Sequence, residues 1–238
     1  MSYDLLIRNG LIVDGSGMPG YRGDISVKDG QIVEIGKLSG PADRSIDADG
    51  MVVAPGFIDN HTHFDAQVTW DPLCSSSCDH GATSVIFGNC SLSLAPVRPG
   101  SQERLSGFLS YVEAIPMDVL NTIDVTWESV SDYMETLDKG LGVNVGNLMG
   151  HSAIRFYVMG EAAQERAATD EEIEEMRTIV RDGMRAGALG LSVSRNAGHF
   201  DPQGVPVPAL WAEEKEIFAI CDVLRELGTG IIQSGGGN

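Results

Sequence analysis

Residues 54–63 read APGFIDNHTH, a short apolar run that ends in two histidines, His61 and His63. Successive side chains of a β-strand alternate between its two faces, so both imidazoles would point to the same side. Neutral imidazole is a common ligand of zinc and similar divalent ions. The stretch therefore predicts a strand whose carboxyl end carries part of a divalent-metal site. The alternative interpretation is a pair of surface histidines at a strand end.

After this stretch, short apolar runs alternate with amphipathic ones, a pattern typical of a parallel sheet built from βα units. Residues 170–187 have helical apolar spacing, and Thr169 with Glu172 forms a capping box before them. A further helix is predicted over residues 211–227. The five predicted strands cover residues 57–60, 84–87, 143–148, 189–193 and 230–233.

Five βα units are too few for a closed (β/α)8 barrel, which typically takes roughly 250 residues. We therefore predict an α/β fold in which residues 56–238 form a partial TIM-type barrel. Active sites of such barrels lie at the carboxyl ends of the strands, where His61 and His63 fall. No Gly-x-Gly-x-x-Gly motif follows the first strand, which argues against a dinucleotide-binding fold.

Residues 1–55 are predicted to form a small N-terminal β-sandwich segment. Apolar runs flank Asn9-Gly10 and, further on, Asp29-Gly30. Both dipeptides are strong signals for tight hairpins, so the sequence predicts two of them. The segment is too short to close a sandwich alone, and we expect it to use strands from elsewhere.

The composition indicates a folded acidic protein and argues against nucleic-acid and membrane-surface partners. Hydrophobic residues make up 42% of the 238, and 16 basic against 34 acidic residues give a net charge of -18. Such a surface repels nucleic acid and anionic lipid. No apolar run approaches the ~20 residues of a membrane span, and the start lacks a signal-peptide pattern. We expect a cytoplasmic protein of unspecified oligomeric state.

Two further strand ends carry candidate site residues. Residues 85–90 read VIFGNC, which places Cys90 level with the histidines, where its thiolate could bind metal. A small buried apolar role is the alternative for this cysteine. His151 follows the third predicted strand, where it is expected to face the barrel mouth and contact substrate. The alternative for His151 is a hydrogen-bonded loop histidine.

Residues 188–194, around the fourth predicted strand, contain no lysine. Many binuclear hydrolases of this architecture bridge two metals with a carbamylated lysine at that position. If a bridging anion exists within this chain, Cys90 is the best candidate for it.

Several motifs together resemble the N-acyl-D-amino-acid deacylases of the amidohydrolase superfamily. They are LIRNGLIVDG (6–15), PGFIDNHTHFD (55–65), GNCSLSLAP (88–96), GHSAIR (150–155) and GALGLS (187–192). The resemblance runs along nearly the whole chain, but it covers only the front part of the family's length.

This resemblance implies a composite β-sandwich with a distorted barrel that binds one or two zinc ions. His61, His63 and Cys90 match the family's metal ligands, and the cysteine replaces the carbamylated lysine. The implied reaction hydrolyses a non-peptide linear amide and releases a D-amino acid. Zinc would polarise the carbonyl and acidify a water, and a later aspartate would act as general base. In the family that base lies beyond residue 238.

One departure from the family pattern leaves other functions open. Family members that hold zinc tightly carry a histidine near the end of the fifth strand, but residues 230–236 read GIIQSGG. A cyclic-amide hydrolase of the dihydropyrimidinase type and a non-catalytic metal-binding member are the alternatives. Because the general base is expected beyond residue 238, we expect the isolated 238-residue chain to be inactive.

Overall fold

The structure is a computed structural model that describes residues 2–138 and 140–235. The chain divides into two compact units, Met1–Gly56 and the part that begins at Phe57. No helix among the described residues is long and apolar enough to cross a membrane.

The first unit is a single five-stranded sheet. Its strand order is β3-β2-β1-β4, and β5 pairs with β1. Leu6, Ile12 and Ile25 are its buried apolar side chains on the two longest strands. The strands are β1 (Tyr3–Ile12), β2 (Tyr21–Lys28), β3 (Gln31–Gly36), β4 (Ala42–Asp47) and β5 (Val52–Val53).

Of the two hairpins expected in this unit, one forms and one does not. Asp29 and Gly30 adopt positive φ angles of 50° and 74° and connect the antiparallel strands β2 and β3. Asn9 also has a positive φ, 60°, but it lies inside β1, where the pairing with β2 is irregular. Its backbone N–H donates to Asp24 and its side-chain amide to Asp47. The prediction of a hairpin at Asn9-Gly10 is therefore wrong, because these bonds stabilise a bulge within one continuous strand.

The second unit is an α/β layer whose five strands are all parallel, in the order β10-β9-β8-β7-β6. This arrangement confirms the prediction of a partial barrel sheet. The strands are β6 (Phe57–Asp59), β7 (Ala82–Phe87), β8 (Asn144–Gly150), β9 (Gly190–Ser194) and β10 (Ile231–Gly235). The helices are α1 (Ser75–Cys78), α2 (Gln102–Glu113), α3 (Met117–Leu120), α4 (Val130–Leu137), α5 (His151–Met159), α6 (Asp170–Arg185) and α7 (Glu214–Leu227).

Large apolar and aromatic side chains from the strands and helices form one core in this unit. Phe87 at the end of β7 packs edge-to-face on Tyr133 of α4, with ring centroids 6.4 Å apart. Trp127 packs against the same tyrosine with its ring tilted by 49°, and it donates its indole N–H to the Leu94 carbonyl. Aromatic pairs of this kind add to the hydrophobic stabilisation of the buried area. The core therefore ties the loop after β7 to helix α4.

Helix α6 begins as the sequence predicts. The Thr169 hydroxyl accepts the backbone N–H of Glu172, and the Glu172 carboxylate accepts the backbone N–H of Thr169. Ile173, Met176 and Val180 are buried at helical spacing. Both carboxylate oxygens of Glu172 also accept hydrogen bonds of 2.8 Å from the Arg166 guanidinium. These bonds hold the pKa of Glu172 at about 2, below its ordinary value of 4.5.

Helices α5 and α7 are joined by a buried ionic network. His151, Arg155 and Glu216 are each at most 1% exposed. The Glu216 carboxylate lies 2.7 Å from His151 Nε2 and accepts Arg155 Nε–H at 2.9 Å. The Arg155 guanidinium also donates to backbone carbonyls, among them that of Pro208. A buried charge is tolerated only where it is paired and hydrogen-bonded, so this network fixes how the two helices pack.

Replacing Glu172 with glutamine is expected to lower stability in a pH-dependent way. A carboxylate whose folded pKa is depressed stabilises the fold above its unfolded pKa, and this contribution is lost as pH falls through the folded value. The difference in unfolding free energy between the natural protein and Glu172→Gln should be largest at neutral pH and should vanish towards pH 2. Urea denaturation across this range measures it. Glu171→Gln, an exposed residue of the same turn, is the control, and an equal effect there would contradict the assignment.

Replacing Glu216 with alanine is expected to cost about 3 kcal/mol or more, because it leaves His151 and Arg155 buried without their carboxylate. Chemical denaturation measures the change. The control is Glu214→Ala, an exposed position of the same helix, which should change stability by about 0.5 kcal/mol or less. Similar effects of the two variants would show that the network does not stabilise the packing.

Candidate metal centre

The two histidines of the opening motif lie directly after β6, at the carboxyl edge of the parallel sheet. Their ring centroids are 5.5 Å apart. Thr62 between them is buried, and its backbone N–H and hydroxyl both donate to the Ile86 carbonyl of β7. These two bonds continue the contact between the strands beyond Asp59. With Thr62 held against β7, the side chains on either side of it, His61 and His63, point to the same side, as the sequence predicts.

The third candidate ligand comes from the neighbouring strand. Cys90 follows β7 by three residues, and its Sγ lies 3.2 Å from His61 Nε2. Ligand atoms of His61, His63 and Cys90 all lie within 4.8 Å of one another. Two imidazoles and a thiol at this spacing are a donor set that suits zinc and similar borderline metals. The structure thus brings together the three residues predicted as ligands, and their side chains fit a divalent ion.

The backbone at Cys90 is strained, and hydrogen bonds to side chains of distant strands hold it in place. Cys90 and Ser91 have φ angles of 55° and 69°, a left-handed conformation that costs roughly 1–2 kcal/mol for each non-glycine residue. The Cys90 N–H donates to the Gln233 side-chain oxygen, and the Ser91 N–H donates to the Ser192 hydroxyl. Strain of this kind persists where the surroundings over-determine it, commonly at functional sites.

Gly88 allows the chain to turn into this loop. Its φ is +80°, and a Cβ at this position would lie 1.9 Å from the Leu148 carbonyl oxygen of β8. Both the conformation and the close approach therefore require glycine. The Gly88 N–H donates to the Asp65 carboxylate. Asp65 is completely buried, and this burial raises its pKa to about 7.

Burial also controls the protonation of the candidate ligands. It lowers the pKa of His63 to about 4, and His61 and His199 add to the effect. It raises the pKa of the Cys90 thiol to about 11, and the charge of Glu113 adds to this shift. The site without a cation therefore favours a neutral imidazole and a protonated thiol. A bound divalent ion would reverse the second preference, since a coordinating thiol is deprotonated.

One carboxylate at this site was not predicted. Glu113, the last residue of α2, has its Oε1 atom 3.3 Å from His63 Nε2. Burial lowers the pKa of His63 and raises the pKa of Glu113 itself. The sequence contains one signal, because a glutamate at a helix C-terminus is unfavourable for the helix dipole. That signal does not identify a partner.

His151 is not at this site. It is the first residue of α5, its ring is 0% exposed, and its Nε2 faces Glu216. In this position the side chain packs inside the unit and does not line an open face. Substrate contact by His151 stays a prediction, and the complete burial of the ring favours the alternative of a hydrogen-bonded structural histidine.

Comparison with known proteins assigns the family. The sequence model of the amidohydrolase family, Amidohydro_3, matches residues 44–238, and that of the urease alpha-subunit N-terminal domain matches residues 1–57. D-aminoacylase from Alcaligenes xylosoxydans xylosoxydans is 36% identical over 229 residues, which cover 95% of this chain and 43% of that protein. D-hydantoinase from Ralstonia pickettii is 42% identical, but only over 87 residues, 37% of this chain and 18% of that protein.

Two solved structures match along nearly the whole chain. A D-aminoacylase described by its binuclear metal centre has a TM-score of 0.77 at 33% identity, covering 97% of this chain and 44% of that one. N-acyl-D-glutamate deacylase from Bordetella bronchiseptica, complexed with zinc and a phosphonate inhibitor, has a TM-score of 0.79 at 31% identity, with 98% and 45% covered. The chain thus spans less than half the length of these relatives. It belongs to the amidohydrolase family.

Proposed function

We propose that this chain carries the front part of a metal-dependent hydrolase that cleaves a linear, non-peptide amide of the N-acyl-D-amino-acid type. The observation that carries the proposal is the convergence of His61, His63 and Cys90 within 4.8 Å at the carboxyl edge of the sheet. Deacylases of this type that match 93–98% of the chain support the substrate class. The partner is then a small molecule.

In this proposal the three side chains hold the metal, and Cys90 provides the anionic ligand. The fourth strand, β9, offers no lysine for carbamylation, so the thiolate takes that role. A divalent ion, when bound, supplies Lewis-acid polarisation of a carbonyl oxygen and acidifies a water. The Gln233 and Ser192 side chains keep Cys90 in position through the backbone bonds of its loop. The general base is proposed to come from outside the described residues.

We propose zinc as the metal. Imidazole and thiolate are among its preferred protein ligands. The zinc complex of the N-acyl-D-glutamate deacylase supports this choice, and the binuclear centre of the solved D-aminoacylase supports a capacity for up to two ions.

The purified chain is expected to retain about one zinc ion or more after dialysis, as measured by mass spectrometry. Cys90→Ser should lose most of this zinc, because it removes the anionic ligand. Cys78→Ser is the matched control, since Cys78 is an exposed free cysteine. Zinc at background level in the natural chain, or equal retention by Cys90→Ser, would count against the proposed site.

A cyclic-amide hydrolase is the second candidate, favoured by the 87-residue match to D-hydantoinase. The lack of a lysine in β9 argues against it. It shares the metal site and differs in the bond that is cleaved. Substrate preference is therefore the property that separates the two candidates.

The zinc-loaded product of the complete gene is expected to hydrolyse N-acetyl-D-amino acids in preference to N-acetyl-L-amino acids and to hydantoins. Release of free amino acid, followed by chromatography, measures the reaction. Preference for hydantoins would establish the second candidate. No turnover on either panel by zinc-loaded protein would favour a non-catalytic metal-binding member of the family. The 238-residue chain alone is expected to show no turnover.

A further inference from the structure

The carboxylate of Glu113 lies beside the candidate metal centre although it comes from a helix, not from a strand end. It is the final residue of α2, and the next residue, Ala114, turns the chain away with a φ of 54°. The side chain is 26% exposed and its Oε1 atom is 3.3 Å from Nε2 of His63, whose side chain is 12% exposed. The helix thus places a carboxylate oxygen beside one predicted ligand.

The distance between these two atoms is compatible with two ligands of one ion. Hydrogen bonds from N–H to oxygen are mostly 2.7–3.2 Å long. Zinc binds nitrogen at about 2.0–2.1 Å and carboxylate oxygen at about 2.0–2.2 Å, so tetrahedral neighbours lie about 3.3–3.5 Å apart. The 3.3 Å between Glu113 and His63 falls at the edge of this range.

The position of this carboxylate at a helix end also favours a nearby cation. A glutamate at the C-terminus of a helix is repelled by the negative end of the helix dipole. The carboxylate is only 26% exposed, and its ion-pair neighbour among the described residues is the imidazole of His63. A divalent ion among His61, His63 and Cys90 would supply a positive charge beside this carboxylate.

We propose that Glu113 is a further ligand of the metal centre and binds from the His63 side. The inference rests on the proposed metal-dependent function and extends its ligand set. Glu113 is not part of the compact group formed by His61, His63 and Cys90, so its carboxylate has to turn towards the ion. Rotation about the last side-chain torsion of glutamate is nearly free and permits this. The fifth strand provides no histidine ligand, since its Gln233 accepts a hydrogen bond from the Cys90 backbone N–H. Glu113 would add a ligand from a helix instead.

Titration of the metal-free protein with Co²⁺ tests the proposal, because visible absorption reports both affinity and ligand geometry. Glu113→Gln keeps the shape of the side chain and removes its charge, and Glu113→Ala removes the carboxylate altogether. Glu103→Gln is the matched control, since it makes the same change at an exposed position of the same helix. Circular dichroism of each metal-free variant confirms that it is folded before the titration.

Both Glu113 variants are expected to bind Co²⁺ about tenfold or more weakly than the natural protein and Glu103→Gln. Their ligand-field bands should shift, while the sulfur-to-cobalt charge-transfer band from Cys90 should remain. Binding by Glu113→Gln within about twofold of the control, with an unchanged spectrum, would overturn the proposal. A loss in Glu113→Ala alone would also overturn it, because it would show that Glu113 only orients His63. No Co²⁺ binding by the natural protein would instead refute the metal site as a whole.

Discussion

The parallel register of the second sheet is the constraint on which the rest of the site depends. Asp59 pairs with Val85, Phe87 with Asn147, and Gly150 with Ser192. Because all strands run in one direction, every loop that leaves a strand emerges at the same edge. Residues that are 29 positions apart in the chain, such as His61 and Cys90, therefore come within 3.2 Å. A shift of one residue in the pairing of β6 with β7 would turn a ligand to the opposite face.

The loop after β7 shows how this register is converted into a rigid site. Gly88 makes the turn, and Cys90 and Ser91 adopt left-handed conformations that an isolated peptide would avoid. The backbone N–H groups of Ser91 and Cys90 donate hydrogen bonds to Ser192 of β9 and Gln233 of β10, and these bonds compensate for the strain. The thiol is thus positioned by strands that are 100 or more residues away, as the separations of 101 and 143 positions show. A substitution that displaces Ser192 or Gln233 would therefore shift the backbone of this loop and with it the Cys90 thiol.

Electrostatics and packing act in opposite directions at this edge. Burial favours the neutral forms of His63, Cys90 and Glu113, whereas metal binding requires a deprotonated thiol and an ionised carboxylate. Inside the unit, by contrast, Glu216 is paired with both His151 and Arg155 and needs no further partner. Ionisable groups that are mutually satisfied thus stabilise the fold, and those that lack a counter-charge mark the site.

The sequence by itself determined the α/β class, the helix that begins at the capping box of Thr169 and Glu172, and the alignment of His61, His63 and Cys90. Each of these depends on local periodicity or on the end of a strand, and both are readable over a few residues. Only the tertiary structure decided the rest: Asn9 forms a bulge because Asp24 and Asp47 bind it, and His151 is buried because Glu216 approaches from α7. It also placed Glu113 beside His63. The physical reason is that these contacts join segments far apart in the chain, and their partners exist only after the strands have paired and the helices have packed.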